Sequence, residues 1–200
     1  MRALDSCEPP CREETVFLDR DGVINEKMPE GQYVRSPAEF RVLPGVPEAI
    51  QRLNRAGIRV IIVSNQRGIS LGLYTAEDLE RIHLYLREFL QKRGARVDAY
   101  YFCPHDKGKC NCRKPLPGMF EQAVRDFPNI TAETSAMIGD SLSDIEFGRR
   151  LGMQTIFLEE DPSRRRAGAE KAAALADRSF HSLSEAVDGL IGRQGGPEQN

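Results

Sequence analysis

Apolar residues along the chain fall into short runs, and segments with helical periodicity separate them. The runs are Thr15–Leu18, Ile58–Val63, Ala99–Phe102, Ser135–Ile138 and Gln154–Leu158, and Ile58–Val63 is rich in β-branched side chains. Runs of this length and composition are typical of strands in a sheet that is buried on both faces. A shorter sixth strand is predicted near Arg178–Phe180.

The intervening segments place their apolar residues on one helical face. Val46, Ala49, Ile50 and Leu53 follow this spacing, as do Leu79, Ile82, Leu86 and Leu90 behind a predicted capping box at Thr75–Asp78. Further helices are predicted over 117–126, 143–151, 164–176 and 182–191. Alternating strands and helices predict right-handed crossovers and an α/β fold, with a parallel sheet between two helical layers.

Length and composition narrow the class of protein. The chain has 200 residues, of which 14–193 are expected to form one domain between a flexible arm (1–13) and a flexible tail (194–200). The formal charge of −2 lacks the basic excess of a nucleic-acid binder, and no apolar run is long enough to span a membrane. Five cysteines, an odd number, argue against a secreted disulfide framework, so a soluble cytoplasmic protein is expected.

Polar side chains with catalytic potential follow the predicted strands. Asp19 and Asp21 follow the first strand, Ser64 follows the second, and Asp140 and Asp144 follow the fourth. Parallel strands bring their carboxyl ends to one edge of the sheet, so these residues are expected to lie close together. Clustered carboxylates repel one another without a cation, and the oxygen-rich set is typical of a Mg²⁺ site.

Two aspartates separated by a single residue can take different catalytic roles in the hydrolysis of a phosphate ester. In an extended segment Asp19 and Asp21 point the same way, so one carboxylate can attack phosphorus while the other transfers protons. Mg²⁺ and the ammonium of Lys114 would offset the repulsion between carboxylate and phosphate. Each motif alone is also typical of a turn or a helix N-cap, but their joint occurrence after strands favours a site.

Residues 14–160 resemble the haloacid dehalogenase (HAD) superfamily of phosphotransferases in four motifs. These are Asp19-Arg-Asp-Gly22 after an apolar strand, a strand followed by Ser64, the lysine Lys114, and the segment Gly139-Asp140 to Asp144. The resemblance implies a HAD-like Rossmannoid three-layer sandwich. Because both gaps between the first three motifs are too short for a separate domain, a capless protein is expected.

The resemblance also implies a role for each motif. Asp19 would be the nucleophile and Asp21 the general acid and base, while Ser64 and Lys114 would bind the transferring phosphoryl group. Asp19, the backbone carbonyl of Asp21 and Asp140 would bind Mg²⁺. Asp144 would orient the groups that surround the Mg²⁺ ligands.

Within this superfamily the chain resembles the group of histidinol-phosphate and D-glycero-D-manno-heptose 1,7-bisphosphate phosphatases. The likeness lies in segments 18–25, 31–34, 64–66, 103–105 and 110–115. It implies hydrolysis of the 7-phosphate of the heptose bisphosphate through an aspartyl-phosphate, as a step towards nucleotide-activated heptoses. A histidinol-phosphate phosphatase and a polynucleotide 3′-phosphatase are the alternatives, and the polar, partly cationic loops favour the sugar bisphosphate.

Four further residues are predicted to contact this phosphorylated sugar. They are Asn65, Arg67, Arg113 and Ser141, and the two arginines are candidates for the distal phosphate. Ser141 stands where members of the heptose group often have lysine, so the choice of anomer stays open. A monomer is expected.

Three of the five cysteines lie close together in sequence. Cys103, Cys110 and Cys112 form a Cys₃His set with His105, which is typical of a structural zinc site, although the spacing is also open to free thiols beside a surface histidine. The family resemblance favours zinc. Such an ion has no open coordination position, so its expected role is to fix the loop that carries Arg113 and Lys114.

Overall fold

A computed structural model describes residues 14–159 and 167–192. Its strands are β1 (Thr15–Leu18), β2 (Arg59–Asn65), β3 (Ala99–Cys103), β4 (Ser135–Gly139), β5 (Gln154–Leu158) and β6 (Arg178–Phe180). They form one parallel sheet in the order β3-β2-β1-β4-β5-β6. The first strand is therefore central, between β2 and β4.

Helices cover both faces of this sheet. They are α1 (Val46–Arg55), α2 (Ala76–Gln91), α3 (Gly118–Asp126), α4 (Leu142–Leu151), α5 (Ala169–Leu175) and α6 (Leu183–Ile191), with a short 3₁₀ helix at Pro37–Glu39. Alternate strand residues face opposite layers: Val16 and Leu18 pack with α1, α2 and α6, whereas Phe17 packs with α3 and α4. The predicted α/β fold with two helical layers is confirmed.

A local sequence signal explains where α2 begins. The predicted capping box is present, since Thr75 Oγ1 accepts the Asp78 N–H and the Asp78 carboxylate accepts the Thr75 N–H. By contrast, β2 runs beyond Val63 because Ser64 and Asn65 pair with Phe102 and Cys103 of β3. This pairing places Ser64 inside a strand.

The segment before β6 differs from the sequence prediction. Within the described residues the helix expected over 164–176 begins only at Ala169, after Gly168 adopts a left-handed φ of 91°. The predicted arm (1–13) and tail (194–200), together with Cys7, Cys11 and Arg164–Arg166, lie outside the described residues.

Few secondary-structure elements lie between the first three HAD-like motifs. Between Asp21 and Ser64 lie the 3₁₀ helix, α1 and most of β2, and between Ser64 and Lys114 lie α2 and β3. Neither connection holds a separate domain, as the capless prediction requires. Among the described helices, none combines the length and apolar character needed to cross a membrane.

Candidate active site

The carboxyl ends of β1, β2 and β4 open into a cavity of about 260 Å³. Most residues predicted for the site line it: Asp19, Asp21, Ser64, Asn65, Arg113, Lys114, Asp140, Ser141 and Asp144. Arg67 is not among the lining residues, because its Nε donates to Asp106 Oδ1 at 2.6 Å. The structure thus gathers the four motifs at one edge of the sheet.

Lys114 lies at the centre of the polar cluster. Its Nζ donates to Asp19 Oδ1 at 2.8 Å and to the Val63 carbonyl oxygen at 2.7 Å, and it lies 2.6 Å from Asp144 Oδ1. Burial lowers the pKa of Lys114, but the Asp144 and Asp19 carboxylates outweigh it and raise that pKa above its ordinary value. The two carboxylates therefore favour the charged ammonium, although Lys114 is only 3 % exposed.

Two side chains hold Lys114 in this position. The amide of Asn65, the last residue of β2, accepts the Lys114 N–H at 3.0 Å and donates to the Lys114 carbonyl at 3.2 Å. Asp144, at the start of α4, is fully buried, and its Oδ2 accepts the N–H of Ser141 at 3.0 Å and the Ser141 hydroxyl at 2.6 Å. The expected substrate contacts Asn65 and Ser141 thus also belong to the framework around the lysine.

Burial and neighbouring carboxylates oppose the ionisation of Asp19 and Asp140. Burial raises the pKa of Asp19 to about 6, with Asp144 acting in the same direction and Lys114 opposing it. Burial also raises the pKa of Asp140 well above its ordinary value, although Lys27 pairs with its Oδ2. Further positive charge at this point would stabilise both ionised carboxylates.

Asp21 is in a different electrostatic environment. Arg20 Nη2 donates to both of its carboxylate oxygens at 2.8 Å, Asn25 Nδ2 to Oδ1 at 3.0 Å, and Gln66 Nε2 to Oδ2 at 3.1 Å. Burial raises the pKa of Asp21, but Arg20 and these hydrogen bonds outweigh it and lower that pKa below its ordinary value. Asp19 and Asp21, which are separated by one residue, therefore differ in proton affinity, and before a phosphate binds Asp21 is the more acidic of the two.

The backbone conformation and surroundings of position 22 explain why glycine follows Asp21. Its φ is 97°, and a Cβ atom at this position would overlap the carboxylate of Asp140. The loop after β1 and the end of β4 can therefore approach closely only with glycine at position 22.

The donor set fits a magnesium ion. Carboxylate oxygens of Asp19, Asp140 and Asp144 all lie within 4.8 Å of one another. Asp140 Oδ1 is buried and has no hydrogen-bond partner within the described part of the chain, so it is free to act as a ligand. Asp144 already binds Ser141 and Lys114, which suits a role outside the ion's own ligands. Oxygen-only sets of this kind are what Mg²⁺ prefers.

The cysteine loop fits a zinc ion. Cys103 Sγ lies 3.4 Å from Cys110 Sγ and 3.7 Å from His105 Nδ1, which is 3.3 Å from Cys112 Sγ. Ligands that share one tetrahedral zinc lie about 3.5 Å apart. The three cysteines of this cluster are free thiols. The cluster is therefore compatible with Cys₃His zinc coordination.

A close backbone contact joins the cysteine loop to α3. Gly118, the first residue of α3, donates its N–H to the Asn111 carbonyl at 2.9 Å. A Cβ atom on Gly118 would lie 2.8 Å from that same oxygen and 2.9 Å from Cys112 Cα. The helix thus supports the loop that leads to Arg113 and Lys114.

Comparison with known proteins identifies the family. The sequence model of the haloacid dehalogenase-like hydrolase family matches residues 11–152 of this chain. The chain belongs to this family. The resemblance inferred from the four motifs is thereby confirmed.

Relatives of this HAD hydrolase include named sugar phosphatases. It is 36 % identical over 171 residues to a D-glycero-alpha-D-manno-heptose-1,7-bisphosphate 7-phosphatase of Mycobacterium bovis, which covers 85 % of this chain and 87 % of the relative. It is 40 % identical over 139 residues to a D-glycero-beta-D-manno-heptose-1,7-bisphosphate 7-phosphatase of Bordetella bronchiseptica, covering 68 % and 75 %. The two relatives differ in the anomer that they are named for.

A solved structure gives the same result for the fold. The crystal structure of D,D-heptose 1.7-bisphosphate phosphatase from B. bronchiseptica, complexed with magnesium and phosphate, superimposes with a TM-score of 0.76 and 31 % identity. The superposition covers 90 % of this HAD hydrolase and 98 % of the B. bronchiseptica chain. The HAD-like fold is therefore confirmed.

Several polar residues of the site had no assigned role in the sequence analysis. Lys27 pairs with Asp140, and Asn25 and Gln66 bind Asp21. Gln66 lies three residues after the predicted strand Ile58–Val63, and this position is a usable signal for a site residue. Lys27 lies in an irregular loop, and no periodicity or spacing indicates where its side chain points.

Proposed function

We propose that this HAD hydrolase is a Mg²⁺-dependent phosphatase that removes the 7-phosphate of D-glycero-D-manno-heptose 1,7-bisphosphate. The observation that carries the proposal is the pairing of Asp19 with Lys114, at 2.8 Å, in a cavity that Asp140 and Ser64 also line. A carboxylate beside a buried ammonium provides a nucleophile and a charge partner for a phosphate. The names of the relatives support the heptose bisphosphate as substrate.

In the first step Asp19 acts as the nucleophile. The carboxylate oxygen that does not bind Lys114 attacks phosphorus, and the bond between phosphorus and the sugar oxygen breaks. Asp21 delivers a proton to that oxygen, so the sugar leaves as an alcohol. The phosphate dianion beside Asp21 favours the protonated carboxyl, which offsets the low proton affinity of this residue before substrate binds. The product on the protein is an aspartyl-phosphate.

In the second step water replaces the carboxylate. Asp21, now ionised, accepts a proton from the water, whose oxygen attacks phosphorus and breaks the bond to Asp19. Inorganic phosphate leaves, and both aspartates return to their starting states. Throughout, Lys114 and the hydroxyl of Ser64 would stabilise the charge on the phosphoryl oxygens.

Asp19, Asp140 and the backbone carbonyl of Asp21 would hold Mg²⁺. When bound, the ion supplies the positive charge that offsets repulsion between the phosphate and the carboxylates. Lys27 pairs with Asp140 and would compete with the ion for that carboxylate. Cys103, His105, Cys110 and Cys112 would hold the structural Zn²⁺. Zinc coordination requires reduced cysteines, and a cytoplasmic location would supply them.

Arg113 is the best-supported contact for the distal 1-phosphate. It lines the cavity, and its Nη1 is buried without a hydrogen-bond partner in the described part of the chain. A guanidinium with an unused donor suits a phosphate. Ser141 also lines the cavity, whereas Arg67 would have to leave Asp106 to reach a substrate.

A phosphate-release assay on a substrate panel tests the proposal. The panel contains both anomers of the heptose bisphosphate, histidinol phosphate and a 3′-phosphorylated DNA oligonucleotide, each with and without Mg²⁺. We expect Mg²⁺-dependent release of one phosphate from a heptose bisphosphate and the highest kcat/KM for that substrate. Faster turnover of histidinol phosphate or DNA would contradict the proposal. The monomer remains a prediction, which size-exclusion chromatography with light scattering tests.

A further inference from the structure

Gln66 joins two residues of the proposed mechanism. Its Nε2 donates to Asp21 Oδ2 at 3.1 Å and to Ser64 Oγ at 2.6 Å. Its Oε1 accepts the hydroxyl proton of Tyr74 at 2.6 Å. Gln66 is 1 % exposed, so these three protein contacts take the place of water around the amide.

Tyr74 determines which way the amide of Gln66 faces. If the amide turned over, Oε1 would face the carboxylate of Asp21, and two acceptors would lie together. Because its hydroxyl binds Oε1, Tyr74 favours the orientation in which Nε2 points at Asp21. Burial raises the pKa of Tyr74 above its ordinary value, so the hydroxyl keeps the proton that it donates.

The other donors to Asp21 belong to its own loop. Arg20 and Asn25 bind the carboxylate from one and four residues away. Arg20 and Asn25 fix the Asp21 carboxylate relative to its own loop, but they do not fix that loop relative to β2. Gln66 immediately follows β2, and its hydrogen bonds relate Asp21 to that neighbouring strand and to Ser64.

We propose that Gln66 is a positioning residue, which holds Asp21 in line with the leaving oxygen of a phosphoryl group bound at Ser64. This inference rests on the proposed phosphatase function and adds a residue to it. Tyr74 acts one contact further out, by keeping the amide turned towards Asp21. Neither side chain transfers a proton or contacts phosphorus in this scheme.

The leaving group of the substrate provides the test. An alkyl phosphate requires a proton on its leaving oxygen, whereas p-nitrophenyl phosphate releases a phenolate that needs little assistance. In Gln66→Met, which keeps the length but loses the hydrogen bonds, we expect kcat/KM to fall about 10- to 100-fold for the heptose bisphosphate and glycerol phosphate. For p-nitrophenyl phosphate the expected loss is no more than about threefold.

Tyrosine variants complete the experiment. Tyr74→Phe should show a smaller loss with the same dependence on the leaving group. Tyr101→Phe is the matched control, because its hydroxyl binds Asp126 on α3, and it should match the parent protein on every substrate. Equal losses on alkyl and aryl phosphates in Gln66→Met would show that Gln66 acts through Ser64 or the fold, and would overturn the inference.

A crystal structure of Gln66→Met separates this inference from the proposed function. We expect the Asp21 carboxylate to adopt a new side-chain conformation while Asp19 and Lys114 keep their places. An unchanged Asp21 would overturn the inference. If the parent protein hydrolyses no phosphate ester, the proposed function is wrong, and the crystal structure still decides whether Gln66 orients Asp21. Should Gln66→Met not fold, Tyr74→Phe provides the same kinetic and crystallographic comparison.

Discussion

The side-chain amide of Asn65 binds the backbone of Lys114 at both of its polar groups, the N–H at 3.0 Å and the carbonyl at 3.2 Å. Asn65 ends β2, and the sheet fixes its position through pairing with Cys103. The position of Lys114, which lies in a loop, is thus fixed by the sheet.

Asn65→Ala tests whether this contact acts through Lys114. We expect kcat to fall about 10- to 100-fold, because a small displacement of a catalytic group has large effects, while KM changes by less than about threefold. Steady-state kinetics on the heptose bisphosphate provide both values. A raised KM with an unchanged kcat would instead identify Asn65 as a substrate contact.

Asp19→Asn separates catalysis from stability. Loss of the nucleophile should reduce kcat by at least about 1000-fold. Burial raises the pKa of Asp19 to about 6, so at pH 7 the folded protein ionises a carboxyl that is easier to ionise when unfolded. The raised pKa therefore makes the free energy of unfolding decrease as pH rises from about 4 to about 6, and above pH 6 the whole decrease is present.

Thermal unfolding in the presence of a chelator should accordingly give Asp19→Asn a Tm equal to or above that of the parent. Asp188→Asn, at an exposed carboxylate that pairs with Arg52, is the control and should retain full activity. Substantial turnover in Asp19→Asn would contradict the nucleophile assignment.

Cys110→Ser tests the role of the cysteine cluster. Metal analysis should give about one zinc per chain in the parent protein and much less in the variant. We expect kcat to fall about tenfold or more, because the loop that carries Lys114 loses its support. Cys7→Ser changes a cysteine that does not belong to the predicted Cys₃His set, and it should keep both zinc and activity. A zinc-free variant with full activity would contradict a positioning role.

His83→Phe tests a pH effect on stability. His83 is 8 % exposed and stacks on Tyr100, with ring centroids 4.8 Å apart. Burial lowers the pKa of His83 to about 3, and Arg20 and Arg87 act in the same direction. Below pH 6.5 the unfolded chain therefore binds a proton that the folded protein does not.

The free energy of unfolding should thus decrease as pH falls from about 6.5 towards 3. Between pH 7 and pH 5, His83 alone should account for about 2 kcal/mol of this decrease. His83→Phe keeps an aromatic ring and should lose that part of the decrease, whereas exposed His181→Gln should not. Urea titrations at several pH values measure the difference. Parallel pH profiles for His83→Phe and the parent would contradict the assignment.

The sequence predicts the fold well because local and tertiary signals agree. Buried strands such as β1 contain continuous apolar runs, here Val16–Leu18, and the Thr75 capping box marks the start of α2 correctly. The helix expected from Arg164 is the weaker case. Its alanine-rich composition favours helix, but Gly168 in a left-handed conformation sets the first turn at Ala169.

The candidate site is only partly predictable. The topology of a parallel sheet brings Asp19, Ser64 and Asp140 to one edge, so their proximity follows from strand order alone. The directions of loop side chains do not follow from it. Lys27 pairs with Asp140 and Arg67 with Asp106 because of tertiary contacts that leave no periodic pattern in the sequence.

The contact between Gly22 and Asp140 has a consequence for how variation can accumulate in this protein. Any side chain at position 22 would take the space of the Asp140 carboxylate, although the two residues lie far apart along the chain. Random mutagenesis should therefore yield no active clone with a single change at position 22. Redesign of either loop would require simultaneous changes in both segments.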